Sequence, residues 1–261
     1  MQKQKRLFYL PLLLCLVFLT VSLTFNVLLF IRARYYYLKL NSTNLDPFRL
    51  QAFTSESPPK GSAISTTTVV FFGDSRAEMW SNPMNLNEFY FVNRGIDTQT
   101  SAQVLGRFDK HILPLQPDLV IVQVGINDLK TIPLFPQQKD AIIANCKANI
   151  QQIVERSVKS GATVILTTIF PIGPVPLSRQ PFWSPDIAQA VLEVNTYLDS
   201  LKAKDVLILD TYSILAENGR TKSDYVYDTL HFNERAYKVL NQELTKVLSA
   251  WLMDKNRQRK S

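Results

Sequence analysis

Residues 7–31 carry no charge, and that single run does most to limit what the chain can become. As a helix it would extend about 37 Å, enough to cross a hydrocarbon layer of ~30 Å with some tilt. A secretory signal peptide has a shorter apolar core followed by a small-x-small cleavage pattern, and neither condition holds here. Lipidation at Cys15 fits no better, because Leu12, Leu13 and Leu14 leave no small residue beside it. The sequence therefore predicts one N-terminal transmembrane helix, a signal anchor. The rest of the 261 residues is enough for one globular domain.

The formal charge of +7 would suggest nucleic acid if it were spread over that domain. It is not. Lys3, Lys5, Arg6, Arg32, Arg34 and Lys39 flank the apolar run, and Lys255, Arg257, Arg259 and Lys260 form a basic tail. Taking these ten cations from +7 leaves the body at −3, so no nucleic-acid partner is expected. The flanking cations read as headgroup contacts, and Tyr35, Tyr36 and Tyr37 as an interfacial aromatic belt. Three basic residues stand on each side of the span, and only the α-amino group breaks the tie. The expectation is a single-pass protein with its N-terminus inside and its body extracytoplasmic, in the periplasm or at the cell surface. Cys15 lies in the apolar run and Cys146 on an apolar helix face, so the two cannot pair and do not report a redox compartment.

Four regions follow: an anchor with its flanks over residues 1–40, a Ser/Thr/Pro/Asn-rich tether over 41–66, the folded domain over 67–254, and the basic tail over 255–261. Within the domain, short apolar runs at 68–72, 88–92, 119–124, 163–168 and 206–209 read as strands buried on both faces. Helical periodicity fills 137–160, 187–202 and 234–253. In the first of these Ile142, Ile143, Cys146, Ile150, Ile153 and Val154 share a face, and Gly161 ends the helix. This alternation predicts a three-layer α/β/α sandwich with a mostly parallel five-stranded sheet, its working residues on loops at the strands' carboxyl ends.

The first strand runs into Gly73-Asp74-Ser75, which leaves a serine at the start of a helix. Free N–H groups and the positive end of the helix dipole would favour an acyl-transfer oxyanion there, although an N-cap serine looks the same in sequence. Three of the chain's eight glycines, Gly73, Gly95 and Gly125, sit at the ends of predicted strands. Tight turns alone would explain them. Their company is less ordinary: Asp74-Ser75, Asn93-Arg94-Gly95-Ile96, and Gly125-Ile126-Asn127-Asp128. Before the last helix comes Asp228-Thr229-Leu230-His231, a spacing that lets a carboxylate orient an imidazole. A capped surface histidine is the alternative. Only one other histidine exists, His111, and no carboxylate stands at the same spacing from it.

In order and in placement, these four blocks resemble those of the SGNH hydrolases, also called GDSL esterases, over roughly residues 67–250. The resemblance implies a serine esterase of acyl or O-acetyl esters, with Ser75 as nucleophile, His231 as base and Asp228 orienting it. It implies an oxyanion hole made by the N–H groups of Ser75 and Gly95 and the amide of Asn127, and neither metal nor organic cofactor. An acyltransferase with the same triad and a non-catalytic envelope binding module are the alternatives. Asp74 and Asp128 read as structural carboxylates.

The pattern departs from the family at Arg76, where Leu or Ile is common, and at Thr229 and Phe232 around the histidine. Arg76 could meet an anionic substrate group or simply be solvated. A five-proline stretch, residues 171–185, follows a strand's carboxyl end. Its Phe182 and Trp183 either line a substrate pocket or pack on the domain.

Overall fold

The computed structural model describes residues 2–53 and 67–258, divided into two compact units, residues 1–49 and 50–261. Most of the expected tether, residues 54–66, lies outside the described residues, as do residues 259–261 of the expected tail.

The first unit is helix α1, Gln2–Leu45. Its 44 residues correspond to roughly 66 Å, and the window that carries its mean hydropathy of 2.5 is long and apolar enough to cross a membrane or serve as a signal anchor. Thr20, Thr24 and Asn26 return their side-chain hydrogens to carbonyls four residues earlier, which spares the apolar stretch unsatisfied donors. The helix does not stop at residue 40. Asn41 bonds back to the Tyr37 carbonyl, and Ser42 and Thr43 to that of Lys39, so polar residues expected to open the tether instead prolong the helix.

The second unit runs β1 Thr67–Gly73, α2 Ser75–Glu78, β2 Phe89–Gly95, α3 Ser101–Gly106, α4 Phe108–His111, β3 Leu119–Gln123, α5 Ile126–Leu129, α6 Lys139–Lys159 and β4 Thr163–Thr167. It continues with α7 Asp186–Ser200, β5 Val206–Leu209, α8 Thr211–Leu215, β6 Ala216–Glu217, β7 Arg220–Thr221 and α9 Glu234–Gln258. The five long strands make one parallel sheet in the order β2-β1-β3-β4-β5, and β6 and β7 form a small hairpin.

Alternation along each strand sorts the core into two layers. Val70 and Phe72 of β1 join Val120, Val122, Val164 and Leu166 on the face covered by α3, α4, α6 and α7. Val69 and Phe71 join Leu119, Ile121 and Ile165 on the face covered by α9 through Leu240, Leu244 and Leu248. Each of these fully buried aliphatic and aromatic side chains contributes roughly 1.5–3 kcal/mol. The sandwich is the expected one. The last helix outruns its expected end, because Lys255 donates to Asp118 at 2.6 Å while Asp118 also accepts the Thr68 N–H. Part of the supposed tail thus closes the amino end of the sheet.

Because the order reverses on either side of β1, the loops after β1, β2 and β3 open beside one another at the sheet's carboxyl edge. That edge carries Ser75, the loop beyond Gly95, and Asn127.

Candidate active site

Asp74 makes the turn after β1. Its N–H donates to the Gln123 carbonyl at 3.1 Å, and its Oδ1 accepts the Arg76 N–H at 2.9 Å as the cap of α2. Ser75 is thereby held as the first helical residue, and its own N–H has no partner among the described residues. The second carboxylate oxygen of Asp74 is buried with no partner among the described residues. Burial, only partly opposed by Arg76, raises this carboxyl to about 6.

Across the sheet edge, Asp228 folds its loop around its own carboxylate. Oδ1 accepts the N–H groups of Leu230 at 2.7 Å and His231 at 2.9 Å, and Oδ2 lies 2.9 Å from His231 Nδ1. His231 Nε2 then lies 3.0 Å from Ser75 Oγ. Partial burial alone would raise Asp228. The imidazole and the two N–H bonds outweigh it and hold the carboxyl down at about 2, so it is ionised at neutral pH and Nδ1 carries the hydrogen. Nε2 is left as an acceptor facing the serine hydroxyl. Such an array can take a proton from Ser75 and hold it as imidazolium.

Arg76 is not solvated. It is fully buried, and donates to the carbonyls of Leu230, Phe170 and Pro171 at 2.9, 3.1 and 3.3 Å between the rings of Phe170 and Phe232. The guanidinium locks the serine's helix to the residue before His231 and to the start of the proline-rich loop. Burial lowers its own proton affinity to about 10, which leaves it charged at pH 7.

Gly95 also departs from expectation. It is the last residue of β2, and its N–H donates to the Asn93 side-chain oxygen at 2.8 Å, so that hydrogen is already committed. A Cβ at Gly95 would lie 2.1 Å from the Glu78 nitrogen, which makes close approach of β2 to α2 the reason for glycine. The next loop contains a residue that sequence reasoning passed over. Thr98 sits at φ 66°, in the left-handed region, with its N–H unpartnered among the described residues. The polar run Asp97-Thr98-Gln99-Thr100-Ser101 after the strand was the available signal.

Asn127 is buried and donates through Nδ2 to the Gln99 carbonyl at 3.0 Å, while Lys130 donates to its Oδ1. Its amide therefore has a fixed orientation and one further hydrogen on Nδ2. Asp128 is structural in geometry: it accepts the N–H and hydroxyl of Ser101 at 2.8 and 2.6 Å and ties α5 to α3. Burial raises its pKa. In the proline-rich loop Phe182 is exposed and Trp183 packs partly on the core, and the loop is pinned to the His231 segment by Gly173 N–H to Thr229 O. His111 lies apart from this group, against Arg107 and Leu50.

Residues 71–239 match the family described as GDSL-like lipase/acylhydrolase. Among solved structures, a Bacteroides fragilis protein inferred to be an acylhydrolase is 25% identical, with a TM-score of 0.60 over 80% of this chain and 98% of its own. A GDSL-like lipase of Bacteroides thetaiotaomicron is 21% identical, with a TM-score of 0.58 over 77% of this chain and 94% of its own. An acetyl xylan esterase is 17% identical, with a TM-score of 0.54 over 69% and 98%. The last two likenesses speak to the fold alone. No curated protein matches.

Proposed function

Because the chain belongs to the GDSL-like lipase/acylhydrolase family, we propose that it is a membrane-anchored serine esterase. Ser75 is its nucleophile, His231 its base and Asp228 the carboxylate that orients the base. The observation that carries this reading is the unbroken line from Asp228 through His231 to Ser75, at 2.9 and 3.0 Å. Ser75 Oγ attacks the ester carbonyl as His231 Nε2 takes its proton. Asp228 stabilises the imidazolium, which then protonates the departing alcohol. Water, deprotonated by the same nitrogen, cleaves the acyl-enzyme and regenerates the serine.

The developing oxyanion is met by the Ser75 N–H at the start of α2 and by the Asn127 amide. On the β2 side we assign the third donor to Thr98 rather than Gly95, since the Gly95 hydrogen is held by Asn93 while that of Thr98 is open. The substrate is a carboxylic ester, acyl or O-acetyl, reached from the extracytoplasmic side of the membrane.

The test is hydrolysis of p-nitrophenyl esters from acetate to palmitate by the full chain in detergent, with Ser75→Ala beside it. Hydrolysis should vanish in the variant, with circular dichroism unchanged, and a fluorophosphonate should label the wild-type protein alone. The chain-length profile assigns acetyl or long-acyl preference. A folded wild-type protein that neither turns over an ester nor takes the label would sink the esterase reading.

A further inference from the structure

The segment Leu50–Phe53 follows the anchor helix in sequence, yet it packs on the α/β unit. Phe53 lies edge-on to His111 with centroids 5.2 Å apart, and the Arg94 guanidinium stacks on its ring at 4.5 Å. The Leu50 carbonyl lies 3.2 Å from His111 Nε2, and His111 Nδ1 lies 3.2 Å from Arg107 Nη1. An arginine only donates. Nδ1 is therefore the acceptor, and Nε2 carries the hydrogen given to Leu50. Burial first, then the nearby Arg107, Arg94 and Lys110, hold His111 below the usual histidine range in spite of the Leu50 bond, which keeps it neutral.

Arg107 is itself fully buried over the Phe72 ring. Its Nε donates to the Gln99 side chain at 2.5 Å and its Nη2 to the Gly73 carbonyl at 2.8 Å. Gly73 stands two residues before Ser75. Gln99 follows Thr98, and its carbonyl holds the Asn127 amide. One guanidinium thus bridges the turn that carries the nucleophile and the loop that orients the oxyanion donors. The helix α4 histidine connects that bridge to the segment Leu50–Phe53.

We propose that Arg107 is a positioning residue for the oxyanion hole, and that His111 and Phe53, held by the segment Leu50–Phe53, set its place. The proposal rests on the esterase reading. Donors to an oxyanion act only when the tetrahedral species forms, so their displacement lowers kcat and leaves KM unmoved. Packing support alone would have a different signature, loss of folded protein with the remaining sites fully active.

The experiment uses the full chain in detergent as wild type, Arg107→Lys, His111→Gln and Phe53→Ala. For each protein it reads kcat and KM on p-nitrophenyl acetate, the inhibition constant of a boronic acid that forms a tetrahedral adduct, the dissociation constant of acetate, and the thermal midpoint. Rates are taken per Ser75 titrated with fluorophosphonate. Expected is a fall in kcat of about ten- to a hundredfold in Arg107→Lys and of about three- to tenfold in the other two. Boronate affinity should weaken in parallel, with KM and acetate binding within about twofold. Phe53 is half-buried at the surface of the unit, so its variant keeps the test alive if the buried substitutions fail to fold. Wild-type kcat and boronate affinity in folded Phe53→Ala and His111→Gln overturns the proposal, as does a loss shared equally by boronate and acetate. Failure of the esterase reading itself looks different: all four proteins, wild type included, are inactive and unlabelled.

Discussion

A carboxylate cut off from water makes folding depend on pH, and Asp74 is such a group. Its pKa stands at about 6 against 3.8 for the unburied side chain, because burial outweighs the pull of Arg76. The native state therefore holds the proton more tightly than the unfolded chain. The stability it contributes is complete below the unfolded value and is lost as pH rises through about 6, by an amount on the order of 3 kcal/mol. Asp74→Asn keeps an oxygen to cap α2 and removes the titration. Between pH 4 and pH 7 urea denaturation should show the variant gaining about 2–3 kcal/mol relative to wild type, and a constant difference would refute the assignment. Arg76 shows how little of such chemistry is legible locally. Its place after Ser75 suggested a substrate contact or a solvated side chain, but its side chain's nearest acceptor is the Leu230 carbonyl, 154 residues away. No window around residue 76 contains that acceptor.

At the scale of elements, the fit of β2 against α2 shows why a glycine can be essential without donating a hydrogen bond. An added methyl at residue 95 would meet the Glu78 nitrogen at 2.1 Å and its Cα at 2.4 Å, backbone atoms that cannot rotate away. Gly95→Ala should cost about 3 kcal/mol or more in chemical denaturation, and the folded remainder should lose kcat because α2 carries Ser75. Full stability in that variant would mean that β2 and α2 move apart easily. The ends of elements were the least readable part of the chain. Helix α1 continues to Leu45 because short polar side chains bond back along it, and α9 continues to Gln258 because Lys255 finds Asp118 at the opposite end of the sheet. Polar composition marked the first stretch as tether, and a run of basic residues marked the second as tail. Partners closed them into helix.

At the scale of the whole molecule, the proposed anchoring predicts which side of a membrane the α/β unit faces. Cys15 falls in the apolar run and Cys146 is buried, so neither reports on exposure in the aqueous compartments. A cysteine introduced at the exposed Gln189 should react with a membrane-impermeant maleimide in intact cells, and one at Gln4 only after lysis. The reverse pattern would place the unit inside and overturn the orientation drawn from the α-amino group.

Periodicity and punctuation carried the architecture. Strands buried on both faces, amphipathic helices between them and glycines at strand ends are local properties, and they were enough for five parallel strands in three layers, an apolar N-terminal helix and the four motif blocks. These features follow from hydrophobic burial, which any correct packing of the same pattern satisfies. The hydrogen-bond partner of each polar atom is a different kind of fact. Gly95 loses its N–H to Asn93, Thr98 is bent into the left-handed region, Arg76 is buried among carbonyls, and Arg107 joins the turn before Ser75 to Gln99 and His111. Such pairings depend on angstrom-scale approach between residues far apart in the chain, and only folding brings those atoms within reach.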